Sequence, residues 1–150
     1  MIRILVVDDH DFVRDALGDL FAQTPDIRVV GECTDGSEAL PTVLLTEPDV
    51  VLMDAAMPGM SGLEATRTVL AVRPATRVVL HTATVTVASV CAARDVGVSG
   101  YVVKGGDPVE LPAVVRAIAS GSSFWCTAAA AHLPACRRIR ERSPLPARSG

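Results

Sequence analysis

Three carboxylates, a hydroxyl and an amine close successive apolar runs in this chain. Asp8 and Asp9 follow Ile2–Val7, and Asp54 follows Val50-Val51-Leu52-Met53. Thr82 ends Arg77–His81, and Lys104 follows Tyr101-Val102-Val103. Short runs rich in Val, Ile and Leu read as strands buried on both faces. In a parallel sheet their C-terminal ends share one edge, where open α/β sheets take their ligands. Three carboxylates gathered there repel one another and raise their own pKa values unless a cation joins them. Oxygen-only donors, with no His or Cys expected among them, favour a hard ion, and Mg²⁺ takes one or two carboxylates while keeping several waters. With an ammonium and a hydroxyl added, the set suits a phosphoryl group carried on a carboxylate. Asp54 is then the nucleophile, with Mg²⁺ and Lys104 neutralising the transferring oxygens.

Taken singly, each residue has an ordinary reading. Asp54 could cap the turn that Pro58-Gly59 begins, Asp8-Asp9 could be a loop pair, and Thr82 a strand-end hydroxyl. Lys104 could be a solvated surface lysine. Yet it is the sole lysine among 14 basic residues. A compact ammonium, rather than the planar fork of Arg, is wanted at that position.

The elements that must position these groups alternate along the chain. After the first strand, Asp11 is expected to cap a helix from Phe12 to about Gln23, with Phe12, Ala16, Leu17, Leu20 and Phe21 facing the core. Ile27–Cys33 reads as the second strand, and Asp35-Gly36-Ser37 starts a helix to about Thr46, weakened by Pro41. After the central strand at 50–53 a helix covers Leu63–Val72, stopped by Arg73-Pro74. The fourth strand follows at 77–81, then a helical stretch at 85–96 and the fifth strand. Asp107-Pro108-Val109-Glu110 combines an N-cap, Pro at the first helical position and Glu three residues on, and opens a last helix to about Ser120 whose start Pro112 should distort. Five strands alternating with five helices predict a doubly wound α/β fold with a five-stranded parallel sheet over residues 1–121. Residues 122–150 read as a linker and tail, a frayed helix followed by a disordered end.

Composition narrows the function. No apolar run reaches the roughly 18 residues of a membrane span, and no secretory signal is visible at the start of the chain. The four cysteines, Cys33, Cys91, Cys126 and Cys136, lack C-x-x-C spacing and read as reduced, mostly buried thiols of a cytoplasmic protein. Residues 1–126 carry 9 Lys and Arg against 16 Asp and Glu, whereas 127–150 carry 5 against 1. Such an acidic body is not a nucleic-acid binder by itself, and the Arg137–Arg142 cluster reads as linker rather than DNA-binding surface. A phosphohydrolase of the haloacid dehalogenase type would need a second carboxylate two residues after the nucleophile, where Ala56 stands. Dinucleotide binding is excluded because the first strand leads to Asp8-Asp9 rather than a Gly-rich loop.

Ile4–Asp9 followed by His10, the segment Val50–Gly62, Leu80–Ala83 and Gly100–Lys104 together resemble the receiver domain of a bacterial two-component response regulator. Val7-Asp8-Asp9-His10-Asp11-Phe12-Val13-Arg14 and Gly100–Lys104 resemble its LuxR-type, helix-turn-helix branch in particular. The resemblance implies a flavodoxin-like (βα)5 fold and Asp54 as phosphoacceptor. It implies Mg²⁺ bound by Asp9, Asp54 and the backbone carbonyl of Ala56, with Asp8 helping through water. Thr82 is the implied switch hydroxyl, Tyr101 the switch aromatic and Lys104 the phosphate-binding lysine. Ala83, being small, leaves room for the phosphoryl group. The implied partner is a sensor histidine kinase, with a homodimer as a further expectation. The implied role is a signalling switch that controls transcription, not metabolic catalysis. DNA contact would come through an effector domain expected to begin near Ser143–Arg148, so the chain reads as a piece of a longer regulator or a short one without its own output.

Two stretches depart from the family pattern. Gly105-Gly106 after Lys104 would loosen that loop. Residues 84–96 start β-branched and carry only two charges, both near the end. That fourth helix is either marginal and poised for a protein contact when Thr82 and Tyr101 rearrange, or simply buried more deeply than usual. A receiver that works as a phosphorylation-independent binding module is the alternative function. It would be favoured by loss of an acidic residue or of Lys104, and none is lost.

Overall fold

The computed structural model describes residues 1–107 and 109–136. In chain order its elements are β1 (Ile2–Val7), α1 (Asp11–Ala22), β2 (Ile27–Cys33), a 3₁₀ turn (Gly36–Glu38), α2 (Ala39–Thr46), β3 (Val50–Met53) and α3 (Gly62–Val72). They continue through β4 (Arg77–Thr82), α4 (Val87–Val96), β5 (Gly100–Val103), α5 (Glu110–Ala119), β6 (Phe124–Trp125) and α6 (Thr127–Ala130). All strands are parallel, in the order β2-β1-β3-β4-β5-β6. This is the expected doubly wound architecture, with a sixth strand added at the β5 edge.

The alternation of strand side chains builds two cores. Leu5, Val7, Val51, Met53, Val78, Leu80 and Tyr101 face α2, α3 and α4. Ile4, Val6, Val50, Leu52 and Val79 face Leu17 and Phe21 of α1 and Leu111, Val114, Val115 and Ile118 of α5. Every residue of β3 is at most 1% exposed, as a central strand covered by helices on both sides requires. Truncating a side chain such as Leu52 there would cost about 2–5 kcal/mol.

Several local expectations are corrected. Helix α1 begins at Asp11 with His10 as its N-cap and no capping side chain; Asp11 instead pairs with Arg14 on the surface. Phe12 is 72% exposed rather than in the core, because it lies on the outer side of the first turn while Leu17 and Phe21 carry the buried stripe. The second helix is divided into a 3₁₀ turn and α2. Pro41 therefore sits in the first turn of α2, where its missing N–H breaks no intrahelical bond. Pro112 is likewise accommodated in the first turn of α5. Asp107 accepts a hydrogen bond from the Val109 N–H, but the helix proper begins at Glu110. The expected role of Pro108, and the Arg137–Arg142 cluster, lie outside the described residues.

The segment read as linker is folded as far as residue 136. Phe124 and Trp125 pair with Gly100 and Tyr101, and α6 places Ala129 in the core beside α4. A Cβ on Gly100 would lie 2.7 Å from Ile118 and 2.9 Å from the Phe124 carbonyl, so only glycine admits β6 at this spacing. Cys91 and Cys136, expected as reduced thiols, are joined in a disulfide with Cα atoms 5.1 Å apart; Cys33 and Cys126 are free. Pattern spacing could not show this pair, because only the docking of residues 124–136 brings Cys136 to α4. Closing a loop across 45 positions stabilises the fold by about 4 kcal/mol on a chain-entropy account. Helix α4 avoids its weak β-branched start by beginning at Val87, after a reciprocal cap between Thr86 and Ser89. Of its ten residues only Val90 and Ala93 are buried, and Ala129, Leu133 and Cys136 of this chain's own tail share their core.

Two glycines should respond oppositely to a methyl group. A Cβ on Gly62 would meet the Asp54 carbonyl at 2.1 Å and Ala55 Cα at 2.8 Å, whereas one on Gly18 meets nothing within 4 Å. Urea denaturation should show Gly62→Ala losing at least about 2 kcal/mol and Gly18→Ala, in mid-helix, gaining about 0.5–1 kcal/mol.

Candidate functional site

Asp8, Asp54 and Lys104 each follow a buried strand and Thr82 ends one, and the sheet's hydrogen bonds continue one step further to fix them. The Asp8 N–H donates to the Cys33 carbonyl at 3.0 Å and the Asp54 N–H to the Val7 carbonyl at 2.9 Å. The Lys104 N–H donates to the Thr82 carbonyl at 2.8 Å. Four strands thus deliver Asp8, Asp54, Thr82 and Lys104 to one edge with their backbones registered to one another. Behind Asp54 the loop is closed by the Gly62 N–H donating to the Ala55 carbonyl at 3.1 Å.

The Lys104 ammonium lies 2.7 Å from Asp8 Oδ2 and 3.1 Å from Asp54 Oδ2. Asp8 and Asp54 are each 2% exposed. Asp54 Oδ1 accepts from the Ala56 N–H at 3.2 Å. Asp9 is only partly buried, yet its Oδ1 atom is buried without a hydrogen-bond partner. Thr82 is 1% exposed at the end of β4, beside β5. Tyr101, fully buried, sits earlier on β5. Its hydroxyl pairs with Ser89 Oγ at 2.8 Å and donates to the Thr84 carbonyl at 2.9 Å.

His10 belongs to this cluster and corrects the expectation of a donor set without histidine, because the turn into α1 brings its ring back over the carboxylates. Its Nδ1 lies 2.9 Å from Asp8, 3.3 Å from Asp9 and 3.7 Å from Asp54, and 3.5 Å from Lys104 Nζ. The available signal was its position directly after the two carboxylates. Arg14, one turn into α1, adds a hydrogen bond to the Asp8 carbonyl.

The two buried carboxylates are driven apart in acidity. Burial pushes Asp54 up, the neighbouring Asp8 charge adds to this, and its bonds to Ala56 and Lys104 only partly offset them. Burial also acts on Asp8, but the bonds from Lys104 and His10 outweigh it and hold Asp8 below the ordinary 3.8. Lys104 is held above its usual range: burial opposes its charge, but hydrogen bonds to both carboxylates prevail. His81, buried on the other face of β4, falls to about 4 through burial and the Lys104 charge, so a neutral imidazole faces the α1–α5 side.

The donor set fits a hard divalent cation. Oxygens of Asp8, Asp9 and Asp54 converge with the His10 ring, and Asp9 Oδ1, 3.3 Å from His10 Nδ1 but without a hydrogen bond, faces the demand that a cation would meet. The net acidic charge of the cluster points the same way.

The comparisons agree with this geometry. The family model described as the response regulator receiver domain matches residues 4–116. The chain is 39% identical to the response regulator GacA of Pseudomonas viridiflava over 83% of its own length and 58% of that relative. It is 35% identical to the transcriptional regulatory protein LiaR of Bacillus subtilis, over 81% and 57%. A LuxR-family two-component response regulator from Aurantimonas superposes with a TM-score of 0.84 at 36% identity, over 91% of this chain and 97% of that one. A doubly wound parallel sheet with a loaded carboxyl edge defines the class. This chain belongs to the response regulator receiver domain family, in its LuxR-type branch. It spans about 58% of the length of the curated relatives.

The opposed acidities set the sign of the pH dependence. Asp8, depressed, contributes stability above its unfolded pKa and loses it as pH falls through the folded value. Asp54, raised, favours the fold while protonated and loses that contribution as pH rises through its folded value. Asp54→Asn should therefore raise the melting temperature at neutral pH, with the gain shrinking toward acid pH. Lys104→Met should cost about 3 kcal/mol, by stranding two buried carboxylates, and should move the Asp8 carboxyl resonance to a higher titration midpoint.

Proposed function

We propose that this chain is a phosphorylation-controlled switch in which Asp54 accepts a phosphoryl group from the phosphohistidine of a sensor histidine kinase. The observation that carries this reading is the buried Asp54 carboxylate held 3.1 Å from the ammonium of the sole lysine. An Asp54 oxygen attacks phosphorus, the phosphorus–nitrogen bond of the donor breaks, and its electron pair leaves with the imidazole. The Ala56 N–H and the Lys104 ammonium favour the charged form of Asp54 and partly offset its burial, which suits a nucleophile. Lys104, already shared with Asp8, neutralises oxygens of the incoming group without a change of strand position. Asp9, Asp54 and the Ala56 carbonyl would hold Mg²⁺, with Asp8 helping through water, and the ion would supply charge neutralisation. Thr82 is the switch hydroxyl and Tyr101 the switch aromatic. Support for their coupling is the Tyr101 hydroxyl, which donates to Thr84 in the loop that Thr82 enters.

The kinase surface fits the mouth of the site. A largely apolar groove of about 690 Å³ runs between α1 and α5 from His10 and Lys104, with exposed Phe12 against the His10 ring. The domain is a signalling module of the cytoplasm, self-catalysing phosphoryl acceptance and slow hydrolysis only. A second copy of the chain is a further partner. Transcriptional output and DNA contact belong to an effector domain outside this chain, in keeping with the relatives' names and greater length. No helix among the described residues is long and apolar enough to cross a membrane.

Intact-mass spectrometry with acetyl phosphate tests the reading. Wild type should gain one phosphoryl group only when Mg²⁺ is present, and Asp54→Asn should gain none. At ten times its Kd, Mg²⁺ should also stabilise the wild type by about 1.4 kcal/mol. A folded wild type that takes no phosphoryl group would instead make the chain a phosphorylation-independent interaction module.

A further inference from the structure

Residues 122–136 form a strap over the face that carries α4 and Tyr101. Phe124 and Trp125 extend the sheet, and the Cys126 N–H donates to the Tyr101 carbonyl at 2.9 Å. The Trp125 ring stacks on that of Tyr101 with centroids 6.1 Å apart and planes 19° apart. Ala129 is fully buried, and with Leu133 and Cys136 it shares one core with Val90 and Ala93 of α4. The disulfide from Cys136 to Cys91 then ties the end of the strap to α4. Tyr101 is thereby enclosed. Its hydroxyl is bonded to Ser89, itself part of the α4 cap, and its ring is covered by Trp125.

We propose that Cys91–Cys136 is a thiol–disulfide switch that latches this strap, and that its redox state sets how freely Tyr101 and α4 rearrange. The reductant class is a dithiol, either a small molecule or a protein. Cys91 is partly exposed and Cys136 only 6% exposed, so attack falls on the Cys91 sulfur. The attacking thiolate bonds to Cys91, the Cys91–Cys136 bond breaks, and Cys136 leaves as a thiolate and takes a proton. The reductant's second thiol then displaces Cys91, giving two protein thiols and the oxidised dithiol, a balanced two-electron exchange. In a reducing compartment such a bond is transient and suited to sensing rather than to permanent bracing. The free cysteines are not alternatives within this fold. Cys33 is buried beneath α2, where its Sγ contacts the Thr42 hydroxyl, and Cys126 lies at the start of the strap without a sulfur partner.

With the latch closed, the strap resists any outward movement of Tyr101, because Trp125, the β5–β6 hydrogen bonds and the α4 tether must all yield together. With it open, the backbone hydrogen bonds of the two-residue strand and the packing of the four-residue α6 hold the strap without a covalent tie. The effect on phosphorylation rests on the receiver reading given above; the latch itself does not.

The full chain should be prepared oxidised and, with dithiothreitol, reduced, and compared by amide hydrogen exchange, by alkylation mass and by acetyl phosphate labelling with Mg²⁺. Reduction is expected to expose two further alkylatable thiols and to accelerate exchange at least tenfold over residues 122–136 and 87–96, with the rest of the sheet unchanged. Reduced wild type and Cys136→Ser should label Asp54 several-fold faster than the oxidised protein, and Cys126→Ser should respond to redox as wild type does. Equal exchange in the two forms, or failure of the bond to form against an oxidised-dithiol couple, would overturn the latch. Equal labelling rates despite different exchange would overturn its link to the switch. Absence of labelling in both forms would overturn the receiver reading and that link together, while exchange still decides the latch.

Discussion

A single ammonium between two buried carboxylates is the constraint on which the structure depends. Lys104 pairs with both Asp8 and Asp54 in a place where burial disfavours the charge of each carboxylate. The arrangement is a poor stability device, since Asp54 stays raised and burdens the fold whenever it is charged. What it secures is a buried carboxylate held at a fixed point with its counter-charge already in place. The parallel sheet makes this possible. Backbone bonds from one strand end to the next hold the three groups in register, so none depends on a flexible loop for its position.

Burial on both faces of the sheet follows from the same need. Strands of Val, Leu and Ile, flanked by α1 and α5 on one side and α2 to α4 on the other, leave only their ends free to carry polar groups. The close seat of Gly62 under Asp54 shows how tightly the loop after β3 is drawn in. The β4 edge differs. Thr82 and the loop after it connect through Tyr101 to Ser89 and so to the start of α4. A disturbance in the loop after Thr82 therefore reaches a helix cap through the two hydrogen bonds of the Tyr101 hydroxyl.

Much of this was legible in the sequence because the signal was redundant. Four of the five apolar runs ended on a group that makes sense only beside the others, so alternation and chemistry supported one another. What was not legible had no periodic signature. A two-residue strand such as Phe124-Trp125 has no alternation to read, and the Cys91–Cys136 pair becomes close only after the strap has docked. Phe12 satisfied helical spacing yet points to solvent, since spacing alone does not say which side of a first turn meets the sheet. His10 was passed over because its neighbours, two aspartates, already accounted for the chemistry; its ring joins them only through the turn into α1.

The sixth strand has a bearing on self-association. An open sheet normally leaves the outer rim of its last strand with unpaired N–H and C=O groups, a template on which another chain can add. Here Phe124 and Trp125 occupy that rim along Gly100 and Tyr101, and β6 itself is too short to offer a substitute template. Ribbon-to-ribbon growth of the sheet on this side is therefore blocked, and a second copy joining here must meet helical surfaces instead.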